Sequence, residues 1–225
     1  MKRTPLNERQ LPNYSRGEEI MNMVTHIVGG SFGIAILALG VVIASLHRNP
    51  WGIVGASVYG ACMVWLYTMS SIYHGLPAGR GKKVMQVIDH CTIYALIAGT
   101  YTPILLAAIR PAHPALAWTV FGCEWGLAAL GATLTAIDLK KFARFSMICY
   151  IGMGWFIVLA LKPTVEAIGW GGFAWLLGGG LAYTFGALLY SLGKKHGKPY
   201  FHAVFHIFVD IGSILQAFCI LFHVL

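Results

Sequence analysis

Long apolar runs, separated only by brief polar stretches, dominate this 225-residue chain. A helix needs about 20 mostly apolar residues to cross a bilayer, and seven runs reach that length: roughly 22–46, 51–73, 84–109, 115–137, 142–161, 167–192 and 201–224. None of them shows the alternation of a transmembrane β-strand. Only 11% of the residues are charged, against about 25% in soluble domains. We therefore predict an all-α, polytopic membrane protein, with a polar tail (1–19) followed by one seven-helix transmembrane domain (20–225).

The distribution of Lys and Arg predicts how these helices are oriented. The tail and the second, fourth and sixth loops carry 13 of the 16 basic residues, and the other three loops carry 3. Because basic loops stay in the cytoplasm, the N-terminus should be cytoplasmic and the C-terminus outside. The first apolar run is too long for a signal peptide core. We expect a multi-pass protein of the bacterial inner (plasma) membrane.

The net charge of +8 does not indicate nucleic acid as a partner. The basic residues lie in short loops, where they meet anionic lipid headgroups. Membrane lipids are therefore the expected partners, nucleic acid is not, and the sequence leaves the oligomeric state open.

Small residues and one proline predict how the helices pack. Pairs of small residues at helical spacing let membrane helices approach closely, and the chain has three such pairs: Gly29 with Gly33, Ala56 with Gly60, and Gly122 with Gly126. Pro103 should kink the third span.

Ionisable and polar residues at membrane depth are costly and require an explanation. The predicted topology brings four groups of them to the cytoplasmic ends of their helices: Glu19, Asn22 and His26; Ser70 and His74; Asp89 and His90; His202 and His206. These groups are distant in sequence but share one level of the bilayer.

Three of these histidines form a candidate metal site. His202 and His206 are four residues apart and share a helix face, a spacing at which two imidazoles bind one metal ion. His74 would complete three nitrogen ligands with an open fourth position, which suits catalytic zinc. Asp89 would bind the metal directly or act through its water as a general base, and Ser70 would hydrogen-bond a ligand or that water. The alternative is an interhelical hydrogen-bond network without metal.

Other polar residues have supporting or open roles. Glu19, Asn22 and His26 are expected beside the ligands or in the cavity next to them. Asp210 continues the face of His206 one turn deeper, and Glu124 lies inside the fourth span. Each of these two acids is either a neutral, hydrogen-bonded group or part of a proton or substrate path, and for Glu124 we favour the former.

Five motifs distributed over nearly the whole chain from Glu18 onward carry a family resemblance. They are E-E-I-M-N-M-V-T-H (Glu18 to His26), S-S-I-Y-H (Ser70 to His74), I-D-H (Ile88 to His90), A-G-T-Y-T-P (Ala98 to Pro103) and H-A-V-F-H (His202 to His206). With seven predicted helices, this combination resembles the haemolysin III family, the bacterial branch of the progestin and adipoQ receptors.

The resemblance implies a zinc ion held by His74, His202 and His206, with Asp89 contributing directly or through water and Ser70 as the serine of the pattern. Alkaline ceramidases are similar in this pattern, which implies a zinc-dependent hydrolase in which activated water attacks a lipid amide or ester. Asp210 lies outside the pattern, and it leaves the substrate open.

Two functions other than hydrolysis follow from the resemblance. Receptor members of the family imply a non-enzymatic regulator of membrane energetics or lipid homeostasis with structural zinc. The family name implies a cytolysin, but a secreted pore-former must first be soluble, and this chain is too apolar for that.

Overall fold

The computed structural model describes residues 3–225, and that part of the chain is helical without any strand. The all-α prediction is therefore confirmed. The α-helices are α1 (Arg16–Leu46), α2 (Pro50–Gly75), α3 (Arg80–Pro103), α4 (Pro114–Ile137), α5 (Ala143–Gly154), α6 (Leu161–His196) and α7 (Phe201–His223). Short 3-10 helices span Leu6–Glu8 and Phe156–Ala160, and a π-helical segment, Ile104–Ile109, extends α3.

Within residues 3–225, six helical segments are long and apolar enough to cross a membrane, which confirms a helical membrane protein. One of the six is a continuous run of 54 residues, Ala143–His196, that contains both α5 and α6. At 1.5 Å per residue it is about 80 Å long, against a hydrocarbon core of about 30 Å. The run is interrupted at Gly169, whose φ of 68° is not helical. The count of seven crossings stays a prediction.

Close packing of α1 on α2 depends on glycines. A Cβ on Gly33 would lie 3.1 Å from Met63, and one on Gly60 would lie 2.5 Å from Leu37. By contrast, a Cβ on Gly122 or Gly126 would meet no other atom within 4 Å. The prediction that this last pair mediates a close helix contact is wrong, because both residues lie on a face of α4 that packs against no other helix.

Pro103 marks a change of helix type. The α-helix gives way after it to the π-helical segment Ile104–Ile109, as expected where a proline removes a backbone donor. Gly55 of α2 packs against this proline, since a Cβ there would lie 2.5 Å from the Pro103 Cα.

Ser213 of α7 ties three helices together inside the bundle. Its hydroxyl lies 2.5 Å from Tyr67 Oη and 2.7 Å from Tyr183 Oη, and its carbonyl accepts a hydrogen bond of 2.7 Å from Tyr59. Polar contacts of this kind hold membrane helices together. They set the position of α7 against α2 and α6.

The polar tail is docked across the ends of α3 and α4. The Thr4 amide donates to Asp138 Oδ2 at 3.0 Å, and Arg9 Nη2 donates to the Ile137 carbonyl at 2.7 Å. Lys83 Nζ donates to the Asn7 carbonyl at 2.6 Å. Hydrogen bonding by Thr4 lowers the pKa of Asp138 from 3.8 to about 2.

Candidate metal centre

Three histidines from two helices converge at one end of the bundle. His74 lies in the last turn of α2, and His202 and His206 lie in the first turns of α7. Each offers one ring nitrogen, and these nitrogens all lie within 4.8 Å of one another. His74 and His206 are each only 2% exposed. This group could hold a metal ion.

A carboxylate fixes the tautomer of His74. Its Nδ1 lies 2.6 Å from Glu19 Oε2, and the other oxygen of Glu19 lies 2.8 Å from Lys82 Nζ. Because the Lys82 ammonium pairs with the Glu19 carboxylate, Nδ1 of His74 carries the proton and donates a hydrogen bond to that carboxylate. The lone pair of His74 then resides on Nε2, which is buried and has no hydrogen-bond partner. Metal-binding histidines are typically oriented in this way.

His206 is fixed by the backbone of α1. Its Nδ1 lies 3.1 Å from the Asn22 carbonyl and donates to it, because a carbonyl only accepts. Its Nε2 is therefore free to act as a ligand. The third ring, His202, has no such bond: its Nδ1 is buried and without a hydrogen-bond partner among residues 3–225.

A buried imidazole nitrogen without a hydrogen bond costs roughly 1–3 kcal/mol. Such atoms on His74 and His202 therefore indicate that something binds there. A tetrahedral ion with bonds of about 2.0–2.1 Å holds its nitrogens roughly 3.4 Å apart. The three nitrogens lie within 4.8 Å of one another, so the rings would have to close slightly around such an ion, and the donor set of three imidazoles fits it by chemistry.

Asp89 and Ser70 lie beside this group rather than within it. The Asp89 carboxylate is 3.6 Å from His90 Nδ1 and is not one of the convergent ligand atoms. Ser70 is buried beside Asp89. Both side chains line an apolar cavity that also reaches His202 and His206.

Of the residues expected to support the ligands, Asn22 and His26 lie close to them, as Glu19 does. Asn22 is fully buried, and its Nδ2 lies 3.4 Å from His74 Nδ1. The ring of His26 stacks on that of His206, with centroids 3.6 Å apart and planes 11° apart. Asp210 points one oxygen, buried and unpartnered, at Gly29, where a Cβ would collide with it.

Two other polar residues that the sequence drew attention to, His90 and Glu124, are not part of the centre. The Nδ1 of His90 lies 2.8 Å from the Gln86 carbonyl on its own helix. Glu124 is fully buried in α4 without hydrogen-bond partners, and it does not line the cavity.

Sequence reasoning missed Lys82 and Tyr14. Lys82 is 5% exposed, and its ammonium also donates to the carbonyls of His74 and Leu76. Nothing in the sequence distinguishes it from its neighbour Lys83. Tyr14 stacks on His202, with centroids 5.1 Å apart. A signal for it existed, because it immediately precedes the Ser15–Glu18 capping box.

The centre lies between two open spaces. On the membrane side, a cavity of about 200 Å³ extends from Ser70, Asp89 and the α7 histidines along apolar side chains to Gln216. On the tail side, a groove is lined by Tyr14, Glu19, His74 and Lys82. His74 lines the groove, and His202 and His206 line the cavity, so the three histidines lie between the two spaces.

Fold and site together define a helical membrane protein with a buried triple-histidine centre at one end of its bundle. The family profile described as "Haemolysin-III related" matches residues 14–217, and the chain belongs to this family. It is 39% identical to Hemolysin-3 of Bacillus cereus over 208 residues, which cover 92% of each protein. It is 36% identical to a Hemolysin-3 homolog of Bacillus subtilis (strain 168) over 206 residues, which cover 92% of this chain and 94% of the relative.

Proposed function

We propose that this protein is a zinc-dependent hydrolase of the inner membrane that cleaves a lipid amide or ester. The observation that carries the proposal is an apolar cavity that ends at Ser70, Asp89 and the two α7 histidines of the triple-histidine group. An acyl chain fits the chemistry of that cavity, and the reacting carbonyl would lie at its polar end. The water that attacks it would be held at the same point by the metal and Asp89.

The proposal includes seven crossings with a cytoplasmic N-terminus. It is supported by contacts at both ends of α4: His113 lies 3.6 Å from Glu166, while Asp138 binds the tail. If α4 crosses the bilayer, the segment from Ala143 to Glu166 crosses back, and α6 returns. The split of basic residues supports the orientation.

Zinc held by His74, His202 and His206 would act as a Lewis acid on the water and the carbonyl. Asp89 would accept a proton from the attacking water as a general base. The Ser70 hydroxyl, which lines the cavity beside Asp89, would hydrogen-bond the polar group of the lipid. Glu19 would hold the His74 ring in its ligand tautomer.

Metal analysis of the purified protein tests the site. We expect close to one zinc per chain, and loss of zinc from His202→Ala and His206→Ala. His196→Ala, at the exposed C-terminal end of α6, is the matched control and should keep the metal. Absence of metal from the wild type, with His202→Ala behaving identically, would rule the site out.

A panel of lipid amides and esters then tests the reaction. Cleavage should depend on zinc and fall to background in Asp89→Asn. If zinc is bound but nothing is cleaved, while deletion of the gene still alters membrane fluidity or energetics, the protein is a regulator with structural zinc. The names of the relatives suggest cytolysis, but these helices need a bilayer from the start, and we do not propose pore formation.

A further inference from the structure

His202 differs from the other two histidines in how its ring is held. His74 donates a hydrogen bond to Glu19, and His206 donates one to the Asn22 carbonyl. The Nδ1 of His202 has no partner. Because rotation about the last torsion of histidine is soft, an unbonded ring needs another constraint to keep a nitrogen pointed at the centre.

Aromatic contacts supply that constraint. The ring of Tyr14 lies nearly parallel to that of His202, with centroids 5.1 Å apart and planes 11° apart. The ring of Tyr190 in α6 packs against the same imidazole, with centroids 5.3 Å apart and planes 54° apart. Tyr14 is also 6.0 Å from the His74 ring. It therefore lies across the tail side of the centre.

The carboxylate of Glu18 links the backbone next to Tyr14 to the backbone near His202. Glu18 Oε2 accepts a hydrogen bond of 2.9 Å from the amide of Ser15, the residue after Tyr14. Glu18 Oε1 accepts a hydrogen bond of 3.0 Å from the amide of Tyr200, two residues before His202. Ser15 and Glu18 also form the capping box that starts α1. These hydrogen bonds fix the backbone beside Tyr14 relative to the start of α7.

We propose that Tyr14 is a positioning residue of the metal centre: its ring orients His202 and closes the centre on the side of the tail. This inference rests on the zinc site proposed above. The face of the ring matters, and the phenol hydroxyl does not. The chemistry therefore requires an aromatic residue at this position rather than a tyrosine as such.

Zinc release measures this role. Full-length protein loaded with zinc is mixed with excess chelator, and Tyr14→Ala should release the metal about 10-fold faster or more, the range typical of groups that orient a ligand. Tyr14→Phe keeps the ring and should match the wild type, as should Asn13→Ala, a matched control at the preceding exposed position. In the cobalt-substituted protein, only Tyr14→Ala should change the visible spectrum. Equal release rates and spectra for Tyr14→Ala and the wild type would overturn the proposal.

A second readout does not need the metal. Diethyl pyrocarbonate modifies accessible imidazoles, and mass spectrometry reports each site, with exposed His196 as the internal reference. In metal-free protein, His202 should react faster in Tyr14→Ala, and also in Tyr14→Leu, which keeps apolar bulk but loses the stacked ring. Tyr14→Phe should stay protected. A wild type without zinc would refute the proposed function, whereas unchanged reactivity of His202 in both variants would refute the role of Tyr14.

Discussion

The centre depends on which nitrogen of each histidine carries the proton. Glu19 decides this for His74, and Lys82 in turn keeps Glu19 charged and in place. A Glu–Lys pair that is mostly buried is expensive to form unless its hydrogen bonds are satisfied. Here the ammonium also satisfies two carbonyls at the end of α2. Glu19 and Lys82 are not candidate ligands, but they determine whether Nε2 of His74 is free to bind a metal.

Replacement of Glu19 by Gln should weaken zinc binding roughly 10–100-fold, as for other partners of metal-bound histidines. The neutral amide no longer requires a donor from His74 Nδ1, and Lys82 loses its counter-charge. Competition with a zinc chelator of known affinity measures the effect. Glu8→Gln, an exposed acid in the tail, is the matched control. Equal affinities of Glu19→Gln and wild type would contradict the role of this carboxylate.

Among the secondary-structure elements, the α1–α2 pair and the tail set the geometry of the centre. α1 carries Glu19 and the Asn22 carbonyl, and α2 carries His74. The two helices can approach closely only because glycines occupy the contact. The tail adds Tyr14 from outside the bundle.

Substitution of Gly60 by Ala should destabilise the protein by about 1–3 kcal/mol, the usual cost of overpacking. The new methyl group would lie 2.5 Å from Leu37 Cβ, so α1 and α2 would have to separate. Gly122→Ala adds the same methyl group where no atom lies within 4 Å, and it should be neutral or slightly stabilising. Thermal unfolding in detergent compares the two. Similar midpoints for both variants would show that the α1–α2 contact tolerates a Cβ.

Docking of the tail should depend on pH through Asp138, which is 2% exposed. Its pKa is lowered from 3.8 to about 2, so the carboxylate stabilises the docked tail fully above the ordinary value. This stabilisation is lost as the pH falls towards 2. Pepsin, which works in acid, should cleave the tail of Asp138→Asn faster than that of the wild type at pH 4. The ratio of the two rates should approach one near pH 2, and a ratio of one at pH 4 would contradict docking through this group.

For the whole molecule, the decisive question is how the 54-residue run Ala143–His196 meets the bilayer. Its length exceeds one crossing by more than twofold. The contact of Glu166 with His113 and that of Asp138 with the tail lie at opposite ends of α4. In the proposed topology, this run would cross the bilayer twice, and its far end would return to the side on which His202 lies.

Cysteine labelling in intact cells tests this topology. In a background without the five native cysteines, Glu166→Cys should react with an impermeant reagent from outside. Lys198→Cys should react only after the membrane is permeabilised. His113→Cys is the positive control, since it should lie on the same side as position 166. Labelling of positions 166 and 198 from the same side would exclude seven crossings.

The sequence could predict those parts of the site that depend on spacing within one helix or on the order of the helices. It could not predict the parts that depend on contacts between residues distant in sequence. Spacing along one helix placed His202 and His206 on a common face, and the order of the helices brought His74 to the same level. The ring orientations could not be predicted, because they depend on Glu19, a carbonyl of Asn22 and Tyr14. These contacts join residues more than 50 positions apart.

The sequence by itself determined that this protein is a helical membrane protein and which polar residues stand out in it, because hydropathy and helical spacing are local properties. Only the tertiary structure separated Lys82 from Lys83, Gly60 from Gly122 and Tyr14 from the rest of the tail. For the lysines and the glycines the local sequence is equivalent, and the difference lies in what packs against each residue from another helix. For Tyr14, the capping box that follows it marks the start of α1 but does not show that its ring reaches His202. Burial and hydrogen bonding are properties of the assembled bundle, and they decide which of these residues serve the centre.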